Sequence, residues 1–262
     1  MRPFILEWGP FHVPSFFFFI LFGAFLATLY GASLAKRSGL RSDPLFDMGI
    51  LGVVMALVGC RVFHILVEAP EYYLHRPIKV FYFWEGGFVS WGAVILVPLS
   101  LIIYYRVRGL PFWPYTDIVA TMAPVIKFFV RTGCLATGCC YGRPTDVPWA
   151  LTFTDPRSTA HYFFPNTPLH PTQVYGMIGA VAVFVVVNWV YRRQSFAGQT
   201  TAVMAMSWAA VRFVNELFRG DADRGLWFGG WLSTGQIMSL IFFGFGAVVY
   251  AVMKRRGERR LA

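Results

Sequence analysis

Charge is what this sequence has least of. Only 14% of its 262 residues are Asp, Glu, Lys or Arg, against about 25% in a soluble domain. That scarcity argues against an ordinary globular enzyme in water. Together with a 56% hydrophobic content it also excludes disorder, collagen and coiled coil. Cysteine is sparse as well: four in all, too few for a disulfide-rich secreted domain and without zinc-ribbon spacing. An internal repeat of transporter type is missing too. Trp84-Glu85-Gly86-Gly87 and Trp227-Phe228-Gly229-Gly230 look alike, but over too short a stretch to signal one.

Aromatic side chains and long apolar runs are abundant. The 27 Phe, 12 Tyr and 9 Trp suit lipid-facing helices with interfacial belts. A helix needs about 20 apolar residues to cross the hydrocarbon core, and seven stretches qualify: 14–35, 45–69, 87–105, 113–131, 172–191, 199–217 and 233–253. The sequence thus predicts an all-α integral membrane protein of seven transmembrane helices, one polytopic domain over residues 1–262. Its largest insertion, at about 132–171, is expected to form a small loop cap at the outer face, with a short strand at Trp149–Phe153. The fourth stretch is the least regular, because it holds Lys127 and Pro124. The first is too long for a signal-peptide core and is followed by Lys36-Arg37.

The net charge of +10 has a topological reading. Seven spans put the short loops 36–44, 106–112 and 192–198 on one side together with the tail. Lys36, Arg37, Arg41, Arg106, Arg108, Arg192, Arg193 and the basic residues of 254–260 all fall there. By the positive-inside rule that side is the cytoplasm, with the N-terminus outside. The tail then reads as a topology anchor and not as a nucleic-acid patch. The longer connections 70–86, 132–171 and 218–232 lie at the outer face, and loops of that length tend to carry function.

Charges at membrane depth cost several kcal/mol, so their positions matter. Arg61 and His64 share a helix face in span two, and Lys127 and Arg131 lie four apart in span four. Arg212, Glu216 and Arg219 form one stripe in span six. An Arg212/Glu216 set alone reads as an internal salt bridge; three such sets at one depth favour an anionic ligand, and the membrane's abundant phosphate is a phospholipid headgroup. The segment Arg131–Arg143 adds Gly133, Gly138 and Gly142 and three cysteines, Cys134, Cys139 and Cys140. These thiols have three readings: small packing residues, an outer-face disulfide involving Cys134, or a reactive thiol. His170, Gln173 and Tyr175 open span five behind Pro171, a residue suited to a first helical turn. His170 reads as a polar cap or as a proton-handling group.

In order along the chain, Gly59-Cys-Arg-Val-Phe63, Trp84-Glu85-Gly86-Gly87, the Arg131–Gly142 segment, the His170-Pro-Thr-Gln-x-Tyr175 box, Arg212-Phe-Val-Asn-Glu-Leu-Phe-Arg219 with Asp221, and Gly235-Gln-Ile237 resemble the prolipoprotein diacylglyceryl transferase family. The resemblance implies a multi-pass protein of the bacterial cytoplasmic (inner) membrane. It implies transfer of a diacylglyceryl group from phosphatidylglycerol to the lipobox cysteine thiol of a prolipoprotein, with no metal or soluble cofactor. By family position, Arg131 and Arg212 hold the headgroup phosphate. Glu216 and Arg219 orient the site, and Gly142 and the His170 box shape its wall, with Arg61, Gly86 and Gly87 also counted among the substrate-binding groups.

Several positions depart from the family. Trp91 stands where the third span carries a histidine, Phe16 replaces a tyrosine, Cys134 an asparagine and Cys139 an acid. Trp offers an N–H donor and no base, which leaves His64 and His170 as candidates for that task. The alternatives are a non-catalytic lipid- or lipoprotein-binding paralogue, or a different transfer using Cys134, Cys139 or Cys140.

Overall fold

The computed structural model describes residues 2–8, 11–82, 86–221 and 225–261; Trp84, Glu85 and Arg224 lie outside them. A hairpin of β1 (Phe4–Trp8) and β2 (Phe11–Pro14) leads into α1 (Ser15–Arg37). Then come α2 (Asp43–Phe63), continued by a π-turn over His64–Glu68, the short α3 (Pro70–His75), α4 (Ser90–Val107) and α5 (Phe112–Thr137). The segment 138–171 holds β3 (Leu151–Thr152), α6 (Thr159–Phe163) and β4 (Pro168–Leu169). Beyond it lie α7 (Thr172–Arg192), α8 (Gln199–Glu216), a hairpin of β5 (Leu226–Trp227) and β6 (Leu232–Ser233), and α9 (Thr234–Leu261).

Six of the helical segments described are long and apolar enough to cross a membrane: Ser15–Arg37, Asp43–Glu68, Ser90–Val107, Phe112–Thr137, Thr172–Arg192 and Thr234–Gly257. Their outward faces are apolar. Along α1, Phe18, Leu21, Phe22, Phe25 and Leu29 are exposed at helical spacing, a face suited to lipid. The seventh expected span, α8, has the length but not the hydropathy. It carries Gln199, Thr200, Thr201, Ser207, Arg212, Asn215 and Glu216, and it packs against both α7 and α9.

The chain divides into two compact units, residues 1–31 with 116–262, and residues 32–115. In the larger unit, α1 approaches α5 where Gly23 meets Phe129 and Gly31 meets Met122. Despite Pro124, α5 runs on to Thr137, six residues past the span read from hydropathy. The hydroxyls of Thr132 and Thr137 are satisfied within the helix, donating back to the carbonyls of Phe128 (3.1 Å) and Gly133 (3.0 Å). Lys127 is accommodated over the Trp208 ring, 5.5 Å from its centre. Asp117, fully buried on α5, accepts from the Gly198 and Thr201 N–H groups (2.7 and 2.8 Å) and from the Thr201 hydroxyl (2.7 Å). It satisfies the orphan donors at the start of α8 from outside that helix.

The segment after α5 has a small core of its own, Tyr141, Phe153, Ala160 and Leu169. The strand expected at Trp149–Phe153 shortens to Leu151–Thr152, paired antiparallel with Pro168–Leu169. Isolated bridges join Pro144 to Leu169 and Gly142 to Arg219. In the smaller unit α2 and α4 cross at Gly59 and Gly92, where a side-chain carbon on Gly92 would overlap the Gly59 carbonyl. Small residues allow that backbone approach.

Two substitutions test this packing. Gly92→Leu is expected to destabilise the protein by at least about 2 kcal/mol through overpacking, seen as a lowered thermal midpoint in detergent. Asp117→Ala strands three donors at the start of α8, one in a fully buried contact, and is expected to cost about 3 kcal/mol, with α8 amides gaining the most hydrogen exchange.

Candidate active site

The cysteine segment begins where α5 stops. Gly138 adopts φ +71°, and the Cys139 N–H reaches back to the Cys134 carbonyl at 3.2 Å. This six-to-one closure is a Schellman cap, a geometry that places the side chains on either side of the left-handed residue against one another. Cys140 follows at φ +55°, a left-handed conformation uncommon for a residue other than glycine. Its carbonyl accepts from the Thr172 hydroxyl (2.7 Å), and the Cys139 carbonyl accepts from Gln173 Nε2 (2.8 Å). Both clamps come from the first turn of α7. The result is three free thiols, Cys134, Cys139 and Cys140, whose sulfurs all lie within 4.8 Å of one another.

Against this cluster the larger unit gathers its arginines. Arg131 extends from α5 across Gly176 of α7, where an added side-chain carbon would sit 2.9 Å from its Nε. Its charge and that of Arg219 both act on Cys140. Hydrogen bonds from the Cys134 and Cys139 thiols, and then those two charges, hold the Cys140 thiol well below its ordinary range. Arg212, on α8, is close enough to be repelled by both Arg219 and Arg131. It pairs with Glu216 one turn along, and the pair abuts Gly235 at the start of α9. Arg219 pairs with Asp221. Among the described residues Arg131 forms no ion pair with a carboxylate.

The flanking groups sit on the same elements. Asn215 Nδ2 donates to the Thr172 carbonyl at 3.0 Å and so ties α8 to α7. Three buried polar atoms, Gln173 Oε1, Asn215 Oδ1 and Arg219 Nε, have no hydrogen-bond partner among the described residues. Buried polar atoms left so are rare and often mark function. Gly142 lies against the His170 and Phe218 backbones with no room for a side chain. The buried His170 ring stands 3.2 Å from the Tyr175 hydroxyl through Nδ1 and packs edge-on to Phe218. Tyr175 also accepts from Trp149 Nε1 at 2.7 Å.

The larger unit therefore brings together Arg131, Arg212, Glu216, Arg219, Gly142, His170, Gln173 and Tyr175. The remaining sequence-predicted residues, Arg61, His64, Gly86 and Gly87, gather in the smaller unit. There Arg61 is buried and directs all five N–H groups at backbone: Nε to Val80 (3.2 Å), Nη2 to Lys79 (2.6 Å) and Tyr82 (3.1 Å), and Nη1 to Gly86 and Gly87. Gly86 and Gly87, at φ +85° and +77°, wrap the chain around it. His64 Nδ1 lies 2.8 Å from Glu68. Sequence reasoning missed Gly176, which presses on Arg131, and Asn215; the signal for Gly176 was a glycine one residue past the His170 box.

The sequence profile of prolipoprotein diacylglyceryl transferase matches residues 3–252. The chain belongs to the prolipoprotein diacylglyceryl transferase family. The phosphatidylglycerol–prolipoprotein diacylglyceryl transferase of Bordetella avium (strain 197N) is 31% identical, the match covering 99% of this chain and 95% of the relative. Similar enzymes of Pasteurella multocida (strain Pm70), 31% identical over 98% and 94%, and Cupriavidus pinatubonensis (strain JMP 134 / LMG 1197), 32% identical over 98% and 92%, span it as fully. As a diacylglyceryl transferase family member the chain is a multi-pass membrane protein.

One pH effect follows from this geometry. Burial, and secondarily the Arg143 charge, holds the His170 imidazole below its ordinary range. Acid therefore favours the unfolded chain. The stability His170 contributes is complete above about pH 6.5 and is lost progressively as the pH falls through the folded value. Replacing it by His170→Gln is expected to flatten the acid limb of a plot of thermal midpoint against pH.

Proposed function

We infer that this protein transfers a diacylglyceryl group from phosphatidylglycerol to the lipobox cysteine thiol of a prolipoprotein, releasing glycerol phosphate. The observation that carries the reading is the gathering of Arg131, Arg212 and Arg219 in one unit, in a chain that shares its family with enzymes so named. The diester carries one charge and the departing monoester carries more, so fixed guanidiniums stabilise the products' side of the reaction. Arg131, with no carboxylate partner among the described residues, is the group best placed to receive the phosphate. Arg212 is held against α9 by Glu216, and Gly176 and Gly235 give both guanidiniums the clearance to lie along neighbouring helices. Gln173, Tyr175, Gly142 and Arg219 shape the wall. His170, beside Tyr175, is the base candidate in this unit.

The same reading includes the topology. Counting α8 as the seventh span places the N-terminus outside and the basic C-terminus in the cytoplasm, with a single polytopic domain and the 138–171 segment as an outer-face cap. What favours α8 as a span is its position against α7 and α9, which shield polar side chains from lipid. Trp227, Phe228 and Trp231, more than half exposed, suit an interfacial belt beside the start of α9. The partners are then phosphatidylglycerol, the lipobox segment and the surrounding lipid, and no nucleic acid.

A second reading, binding without transfer, is favoured by Trp91 where the family histidine is expected. The two part in an assay of radiolabelled phosphatidylglycerol with a lipobox peptide in detergent. Wild type is expected to transfer label, and Arg131→Ala and Arg212→Ala each to lose about 100-fold or more with folding intact. Phosphatidylglycerol binding without transfer by wild type, gained in Trp91→His, decides for the second reading.

A further inference from the structure

We propose that Cys134, Cys139 and Cys140 form a three-thiolate site for a borderline-soft divalent cation of the zinc type, with its fourth position open to an incoming thiol. That fourth position rests on the transferase reading above; the three-thiolate site does not.

The geometry argues first. Three sulfurs within 4.8 Å of one another need to close by about 1 Å to meet the sulfur separation, about 3.8 Å, that a tetrahedral ion with 2.3 Å bonds requires. The framework that presents them is fixed, not fluid. The cap at Gly138 sets Cys134 against Cys139, and Thr172 and Gln173 hold the carbonyls of Cys140 and Cys139. The left-handed backbone at Cys140 turns its sulfur into the cluster, a local strain that a bond to a ligand would offset. Thiolates in this number select zinc-type ions over magnesium or calcium, which take oxygen.

Charge argues second. Three thiolates and one divalent ion leave a single negative charge. Arg212 is matched by Glu216 and Arg219 by Asp221, while Arg131 forms no ion pair with a carboxylate among the described residues. The loaded cluster and Arg131 sum to zero.

Three protein ligands with one open position is the arrangement of catalytic rather than structural zinc. A thiol bound there loses its proton outright, which supplies the activation that Trp91, lacking a basic nitrogen, does not. The substrate S–H proton passes to solvent. The sulfur lone pair then forms the S–C bond to the glycerol carbon as the C–O bond to phosphate breaks, and glycerol phosphate departs with that electron pair. No oxidant or reductant enters.

The test uses the full-length protein in detergent, reduced and stripped of metal, titrated with Co²⁺ alone. Uptake of one Co²⁺ per chain with thiolate-to-cobalt absorption in the near ultraviolet is expected. Cys139→Ser and Cys140→Ser should weaken it by more than the roughly 10–100-fold typical of losing an outer-shell partner. Should a serine variant fail to fold, wild type supplies the second measurement: Zn²⁺ should protect all three thiols from maleimide. Absence of stoichiometric uptake, or uptake unchanged in the triple serine variant, overturns the site. N-acetylcysteine amide should shift the cobalt spectrum and its serine analogue should not; a spectrum indifferent to both overturns the open position. The transfer assay run beside it separates the two claims. Full transfer after verified metal removal overturns the metal's part and leaves the transferase, whereas metal binding without transfer does the reverse.

Discussion

Burying guanidinium groups is the constraint around which the larger unit is organised. Each carries a desolvation cost of several kcal/mol, and Arg212 is repelled by both Arg131 and Arg219 as well. Two carboxylates, Glu216 and Asp221, offset two of them. Glycines do the rest by leaving room: Gly176 for Arg131, and Gly235 for the Arg212–Glu216 pair. A side chain at either glycine would push a guanidinium away from the surface it lies along. The elements meeting here, α5, α7, α8 and the start of α9, are held to one another by short polar ties such as Asn215 to Thr172 and Asp117 to the α8 terminus. The cluster's charge is thus accommodated by helix spacing as much as by counter-ions.

The fold was legible where hydropathy and helix period agree. Six of the seven expected spans coincide closely with helices long and apolar enough to cross a bilayer, because lipid-facing residues such as those of α1 write their environment into the sequence. α8 falls short for the opposite reason: neighbouring helices cover it, so it carries hydroxyls and amides a lipid-facing helix avoids. The end of α5 was misplaced because hydropathy falls at Arg131 while the helix continues. Its threonine hydroxyls are satisfied by the helix's own carbonyls, and a glycine with positive φ ends it. The strand at Trp149–Phe153 shortened because only Leu151 and Thr152 find a partner.

Site residues were legible as chemistry and less so as geometry. Arg131, Arg212, Glu216 and His170 stood out because charge and imidazole are rare in apolar runs. Gly176 did not, since a glycine in a transmembrane helix looks like any small packing residue until the side chain across from it is known. The cysteines stood out by type but left packing, disulfide and reactive-thiol readings open. The Schellman closure that brings Cys134 to Cys139 depends on backbone angles that no composition argument supplies, and all four cysteines are free thiols.

Arg61 carries a consequence of a different kind. Carbonyls of Lys79, Val80 and Tyr82 and, further along the chain, of Gly86 and Gly87 all accept from its one guanidinium. One side chain therefore fastens two separate stretches of backbone, so that truncating it would leave five carbonyls at once in search of other donors.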